Sequence, residues 1–114
     1  LLNSRETPGR DFLAAPARRT LTYSADGGRT WTRPVADDSG LPPYHETHSG
    51  LLRLSDPRTD PRGVSRILFS FPAGPKRTRG SLMISYDDHR SWSAPKLLVP
   101  SEFGYSNLDR LPDG

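Results

Sequence analysis

A duplicated eight-residue pattern constrains this chain more than any other feature. Ser24-Ala25-Asp26-Gly27-Gly28-Arg29-Thr30-Trp31 recurs as Ser85-Tyr86-Asp87-Asp88-His89-Arg90-Ser91-Trp92, with equivalent residues 61 positions apart. Each copy follows a short run of strand formers, Thr20-Leu21-Thr22-Tyr23 or Leu82-Met83-Ile84. Each is followed by a proline, Pro34 or Pro95, after which the chain turns apolar again. An Asp carboxylate accepts hydrogen bonds from amides one or two residues ahead and closes a turn without a regular ladder; a Ser hydroxyl does the same from the strand end. Gly27-Gly28 supplies the positive φ that a tight turn often demands, and a Trp ring beside the turn buries a large apolar area. The pattern predicts two stapled hairpins, with Asp26 and Asp87 serving the turns and not catalysis. His89 stands where the first copy has Gly28, and a non-glycine residue there is strained or differently wound.

Composition narrows the class. The hydrophobic fraction is 32% and there are 12 prolines in 114 residues, about twice the average proline usage. No long amphipathic helical pattern is present, while aromatic and β-branched residues recur in short clusters between turn signals, which points to an all-β, turn-rich protein and away from disorder. The net charge of +3 comes from 16 basic and 13 acidic residues mixed along the chain. The most basic run, Lys76-Arg77-Thr78-Arg79, lacks the aromatic interleaving of a nucleic-acid reader, so no nucleic-acid partner is expected. With no cysteine there is neither a disulfide framework nor a Cys-based metal site. No stretch of the segment is apolar enough to span a bilayer, and no signal-peptide pattern lies within it.

In chain order, Leu1 to Arg5 reads as the end of a strand and residues 6–17 as a long polar loop. Strands are expected before and after the first turn. Further strands are expected at Leu51–Leu54, Arg66–Phe71, Ser81–Ser85 and Lys96–Val99, with a basic loop from Pro72 to Gly80. The chain opens on Leu1-Leu2-Asn3 and ends within the turn Leu111-Pro112-Asp113-Gly114, and is read as a piece of a longer one.

The pattern S-x-D-x-G-x-T-W resembles the Asp-box of sialidases and related β-propellers. Residues 24–31 fit it fully; residues 85–92 keep Ser85, Asp87, Ser91 and Trp92. Three further stretches are similar to signatures of bacterial-type exo-α-sialidases. Leu2-Asn3-Ser4-Arg5 resembles L-N-x-R, whose Arg belongs to a triad that clamps the sialic-acid carboxylate. Arg77-Thr78-Arg79-Gly80-Ser81-Leu82 occupies the place of R-x-N-L-T. That aligns Arg77 with a second triad member, with Arg79 as the alternative register. Gly104-Tyr105-Ser106-Asn107-Leu108, followed by Leu-Pro-Asp-Gly, resembles Y-S-x-L…L-P-D-G, in which the Tyr is the nucleophile.

The resemblance covers nearly all 114 residues. It implies about two four-stranded blades of a sialidase-type propeller over residues 1–114, truncated at both ends. The implied function is retaining hydrolysis of terminal α-linked sialic acid from sialylated glycans, without a cofactor, in a protein of a kind commonly exported. Arg5 and Arg77 would bind the carboxylate, His48 on the pocket wall would touch substrate, and Tyr105 would attack the anomeric carbon. The chemistry suits those residue types. Guanidinium forks match a carboxylate with paired, charge-assisted bonds, and a neutral hydroxyl approaches an anomeric centre bearing a carboxylate without the repulsion a second carboxylate would meet. A Glu partner, an acid/base Asp and a third Arg would lie outside the segment, which alone is expected to be poorly soluble and inactive. Two alternatives stand beside this. His45, Glu46 and His48 carry an H-x-x-H spacing, but no helical pattern or third ligand supports a metal site. A non-catalytic Asp-box propeller that binds glycan or protein would explain the repeats, though not Arg5, Arg77 and Tyr105 together.

Overall fold

The computed structural model describes residues 2–5, 19–42 and 47–112, with backbone alone at 2–5. The loop expected at 6–17, and His45 and Glu46, lie outside the described residues, as do Asp113 and Gly114 of the final turn. The described chain is all-β, with two antiparallel sheets and no helix. It divides into two compact units, Leu1–His45 and Glu46–Gly114.

The first unit holds β1 (Leu2–Arg5), β2 (Arg19–Thr22) and β3 (Val35–Ala36) in that spatial order. Alternation along β2 buries Arg19 and Leu21 while Thr20 and Thr22 stay half-exposed, the period-2 signature of a strand with one covered face. Burying Arg19 requires partners for its guanidinium; its Nε donates to the Pro42 carbonyl at 3.2 Å. The strand expected from Trp31 to Val35 after the first turn is instead the two residues Val35–Ala36, overlapping the expectation only at Val35.

The second unit is a four-stranded meander, β4 (Gly50–Ser55), β5 (Arg66–Gly74), β6 (Thr78–Ser85) and β7 (Lys96–Glu102), paired in chain order. Ile67, Phe69 and Phe71 share one face of β5 and are buried, with Met83 directly opposite Phe69 on β6. The two Phe rings stack with centroids 5.4 Å apart. Leu68, on the other face, pairs with Leu52 and Ile84, and all three are half-buried. The exit strand is one sheet edge: Leu97 and Leu98 of β7 are exposed, and Pro100 lies on this edge strand, where proline is tolerated.

Both repeated stretches form the expected turns, with one difference in reach. Asp26 Oδ1 accepts from the Arg29 and Thr30 amides at 3.0 and 2.9 Å, three and four residues ahead. Two successive positive-φ residues curl the chain back over the carboxylate, which places those later amides within reach. Trp31 departs further from expectation. Its Nε1 donates to the Gly28 carbonyl at 3.0 Å, yet the residue is 47% exposed. Trp92 instead packs on Phe69, centroids 5.9 Å apart, and meets the His89 ring edge-on at 5.2 Å. The second sheet thus gives Trp92 aromatic neighbours to pack on.

Candidate functional site

Three chain segments meet at one end of the second sheet: the approach to β4, the tip between β5 and β6, and the exit from β7. Strand direction alternates in a meander, so the Asp87 turn between β6 and β7 lies at the opposite end, alongside the turn at 56–65.

The β5–β6 tip is short and strained. Gly74 pairs with Thr78, leaving Pro75, Lys76 and Arg77 as the loop. The Thr78 hydroxyl donates to the Pro75 carbonyl at 2.8 Å. Lys76 and Arg77 both adopt positive φ, 52° and 58°, and Arg79 a third at 59° beside a shift in the β6–β7 register. Such conformations cost non-glycine residues of order 1–3 kcal/mol each and persist only where the surroundings over-determine them. Two contacts do so here. The Arg79 stem lies over Gly74, where an added Cβ would come within 3.0 Å of its Cγ and Cδ. The Phe103 amide donates to the Arg77 carbonyl at 2.8 Å, joining the tip to the segment that leaves β7.

Tyr105 follows two residues later. The Arg77 guanidinium carbon stands 5.4 Å from the centre of the Tyr105 ring, within cation–π range. His48 meets the same ring edge-on, centroids 5.0 Å apart at 72°. Tyr105 is nonetheless 65% exposed; Arg77 and His48 are exposed too. Residues far apart in sequence thus bring a cation, an imidazole and a phenol together at an open surface. Arg77, and not Arg79, is the arginine beside Tyr105.

Arg5 ends β1, opposite Arg19; its side chain is outside the described residues. The turn carboxylates are occupied elsewhere. Asp87 Oδ1 accepts from the Ser91 and Arg90 amides and the Ser85 hydroxyl, and Oδ2 from the Ser91 hydroxyl. The Ser91 hydroxyl foremost, with these other donors, holds the Asp87 carboxyl down at about 2. Asp26 is depressed still further by the equivalent Thr30 hydroxyl and amide. A carboxyl locked in its ionised form by four donors has no proton to exchange at neutral pH.

Sequence reasoning passed over the residues that carry the Tyr105 segment: Gly50, Ser70, Gly80, Phe103 and Ser106. Glycines inside strands signal close approach by another part of the chain, and Gly50 and Gly80 both lie in strands. That signal was present.

No family model matches the chain. The whole chain is similar to part of a protein named sialidase from Micromonospora viridifaciens, 32% identical over 115 residues. It spans 17% of that protein's length. The similarity to that protein extends over the whole chain. Among the described residues no helix is long and apolar enough to cross a membrane.

Proposed function

We propose that this chain is part of a retaining exo-α-sialidase acting on terminal sialic acid of glycans. Its two sheets would be successive blades of an Asp-box propeller. The observation that carries the reading is the placement of the Arg77 guanidinium against Tyr105, the two residues that sequence resemblance pairs as carboxylate clamp and nucleophile. Arg77 with Arg5 would grip the carboxylate, and His48 would line the same wall.

In the first step the Tyr105 phenolic oxygen bonds to the anomeric carbon while the bond to the aglycone breaks. The phenolic proton passes to a neighbouring base, and an acid protonates the departing oxygen; the resemblance places both outside this segment. Water, giving a proton to the acid/base group, then attacks from the face the aglycone vacated and displaces Tyr105, whose oxygen takes its proton back. The two inversions give net retention. A protonated phenol is a weak nucleophile, so the first step needs that neighbouring base.

The test uses the full-length protein that carries this segment and a fluorogenic aryl sialoside. Tyr105→Phe should lower kcat by about a thousandfold or more while leaving sialic-acid binding intact. Arg77→Lys should raise KM by about tenfold or more, because an ammonium cannot form two parallel bonds to a carboxylate. Near-parental turnover by Tyr105→Phe would remove the nucleophile assignment. Absence of turnover in the parent, with glycan binding retained, would favour the non-catalytic module.

A further inference from the structure

Tyr105 sits on a strap, residues 103–108, that leaves β7 and passes back over the second sheet. The strap is pinned on both sides of Tyr105. Before it, the Phe103 ring lies flat against Gly80, where any Cβ would collide with the ring. Immediately after it, the Ser106 and Ser70 hydroxyls share a hydrogen bond of 2.8 Å, and Ser106 Oγ also lies 3.4 Å from the Ser70 carbonyl oxygen. Next, Asn107 and Leu108 run across Gly50. A Cβ on Gly50 would come within 2.6 Å of Ser70 Oγ, 3.1 Å of Leu108 Cγ and 3.2 Å of the Asn107 carbonyl carbon.

Gly50 and Ser70 are directly paired across β4 and β5, so these contacts form a single notch. Ser70 is 2% exposed, flanked along β5 by Phe69 and Phe71. A hydroxyl so placed needs a partner, and the strap supplies it. Among the described residues, the Tyr105 side chain is held by its ring contacts with Arg77 and His48. Its position therefore depends on the depth at which the strap enters the notch.

We propose that Ser70 is a positioning residue for Tyr105. Acting through Ser106 in the notch completed by Gly50, it sets the height of the strap and so delivers the phenol between Arg77 and His48. The catalytic consequence rests on the sialidase reading above; the positional one does not. A nucleophile displaced by about 1 Å loses up to about a hundredfold in rate, and substrate held by other residues still binds.

The experiment compares Ser70→Ala, Ser106→Ala, their double variant and a Ser101→Ala control in the full-length protein. Each is also labelled with 3-fluorotyrosine, and the Tyr105 fluorine resonance is assigned by its loss in Tyr105→Phe. Either single variant should lower kcat by about 10- to 100-fold with KM within about twofold. The double variant should match Ser106→Ala, since that change alone already removes both the hydroxyl pair and the contact to the Ser70 carbonyl. The Tyr105 resonance should shift or split in all three and stay put in the control, with thermal melts near parental. Ser106→Ala breaks the bond from the more exposed side, so the test survives if Ser70→Ala folds poorly. An unmoved resonance overturns the proposal whatever happens to kcat, as does a moved resonance with parental kcat in an active enzyme. If the parent is inactive, or Tyr105→Phe is fully active, the sialidase reading fails and the resonance alone decides the positioning claim. If Tyr105→Phe is dead and the serine variants are parental, only the positioning claim fails.

Discussion

The Asp26 and Asp87 turns solve the same backbone problem with different residues. In each, the Ser hydroxyl donates to the Asp and accepts an amide four residues on, from Gly28 at 2.7 Å or His89 at 3.0 Å. In each, the Asp accepts amides three and four ahead and a hydroxyl four ahead. Both need two consecutive positive-φ residues. The first uses Gly27 and Gly28 at 74° and 91°; the second uses Asp88 and His89 at 62° and 77°. The carboxylate cage therefore dictates the backbone path, and glycine only makes that path cheap.

The second turn offsets its strain through side chains that glycine lacks. His89 is buried against Trp92, which rests on Phe69. Asp88 pairs with Arg53, whose guanidinium also reaches Ser65. The first turn has cheap dihedrals and an exposed Trp. Among the described residues the first cage is closed by its own residues, while the second is also tied to its sheet.

Removing the cage should have the largest effect, and should erase the distinction. Asp26→Ala and Asp87→Ala each strand several turn amides, and each should lower Tm of the intact protein by about 5 °C or more in a calorimetric scan. Acid does the same reversibly. Asp87 is depressed from the usual value of about 4 to about 2. Its contribution is thus complete above about pH 4 and fades as pH falls through about 2. Tm measured from pH 5 downward should drop less steeply in Asp87→Asn than in the parent. Equal slopes would show that the cage carboxylate does not report on stability.

Trp substitution should sharpen the contrast. Trp92→Ala opens a gap beside Phe69 and His89 and should cost about 2–4 kcal/mol in denaturant unfolding, whereas Trp31→Ala should cost about 1 kcal/mol or less. Comparable losses would mean that Trp31 is as integral as Trp92. The smallest effects probe the dihedrals. Gly27→Ala meets nothing within 4 Å, so its cost, about 1 kcal/mol, would be purely the left-handed backbone. Asp88→Gly releases that strain and gives up only an exposed ion pair, so it should be neutral to stabilising by about 0.5 kcal/mol. A destabilised Asp88→Gly would raise the importance of the Arg53 pair.

The legibility of the chain follows the range of its interactions. The strands flanking both turns, the Asp and Ser roles and the all-β class are carried by neighbours within a few residues, and period-2 patterning with turn chemistry declares such contacts openly. The cluster of Arg77 and Tyr105 was approachable because each sits in a short recognisable stretch. The aromatic environment of Trp92, the exposure of Trp31 and the exposed edge at Leu97 and Leu98 were not. Identical local sequence can end on a packed or an open face, and only strand order settles which. The notch of Gly50 and Ser70 is the furthest from local reading. It joins β4, β5 and a strap 36 residues beyond Ser70, and nothing in a lone strand serine announces a partner so distant. Local hydrogen-bonding chemistry wrote the turns; chain crossing over a paired sheet created the seat for Tyr105.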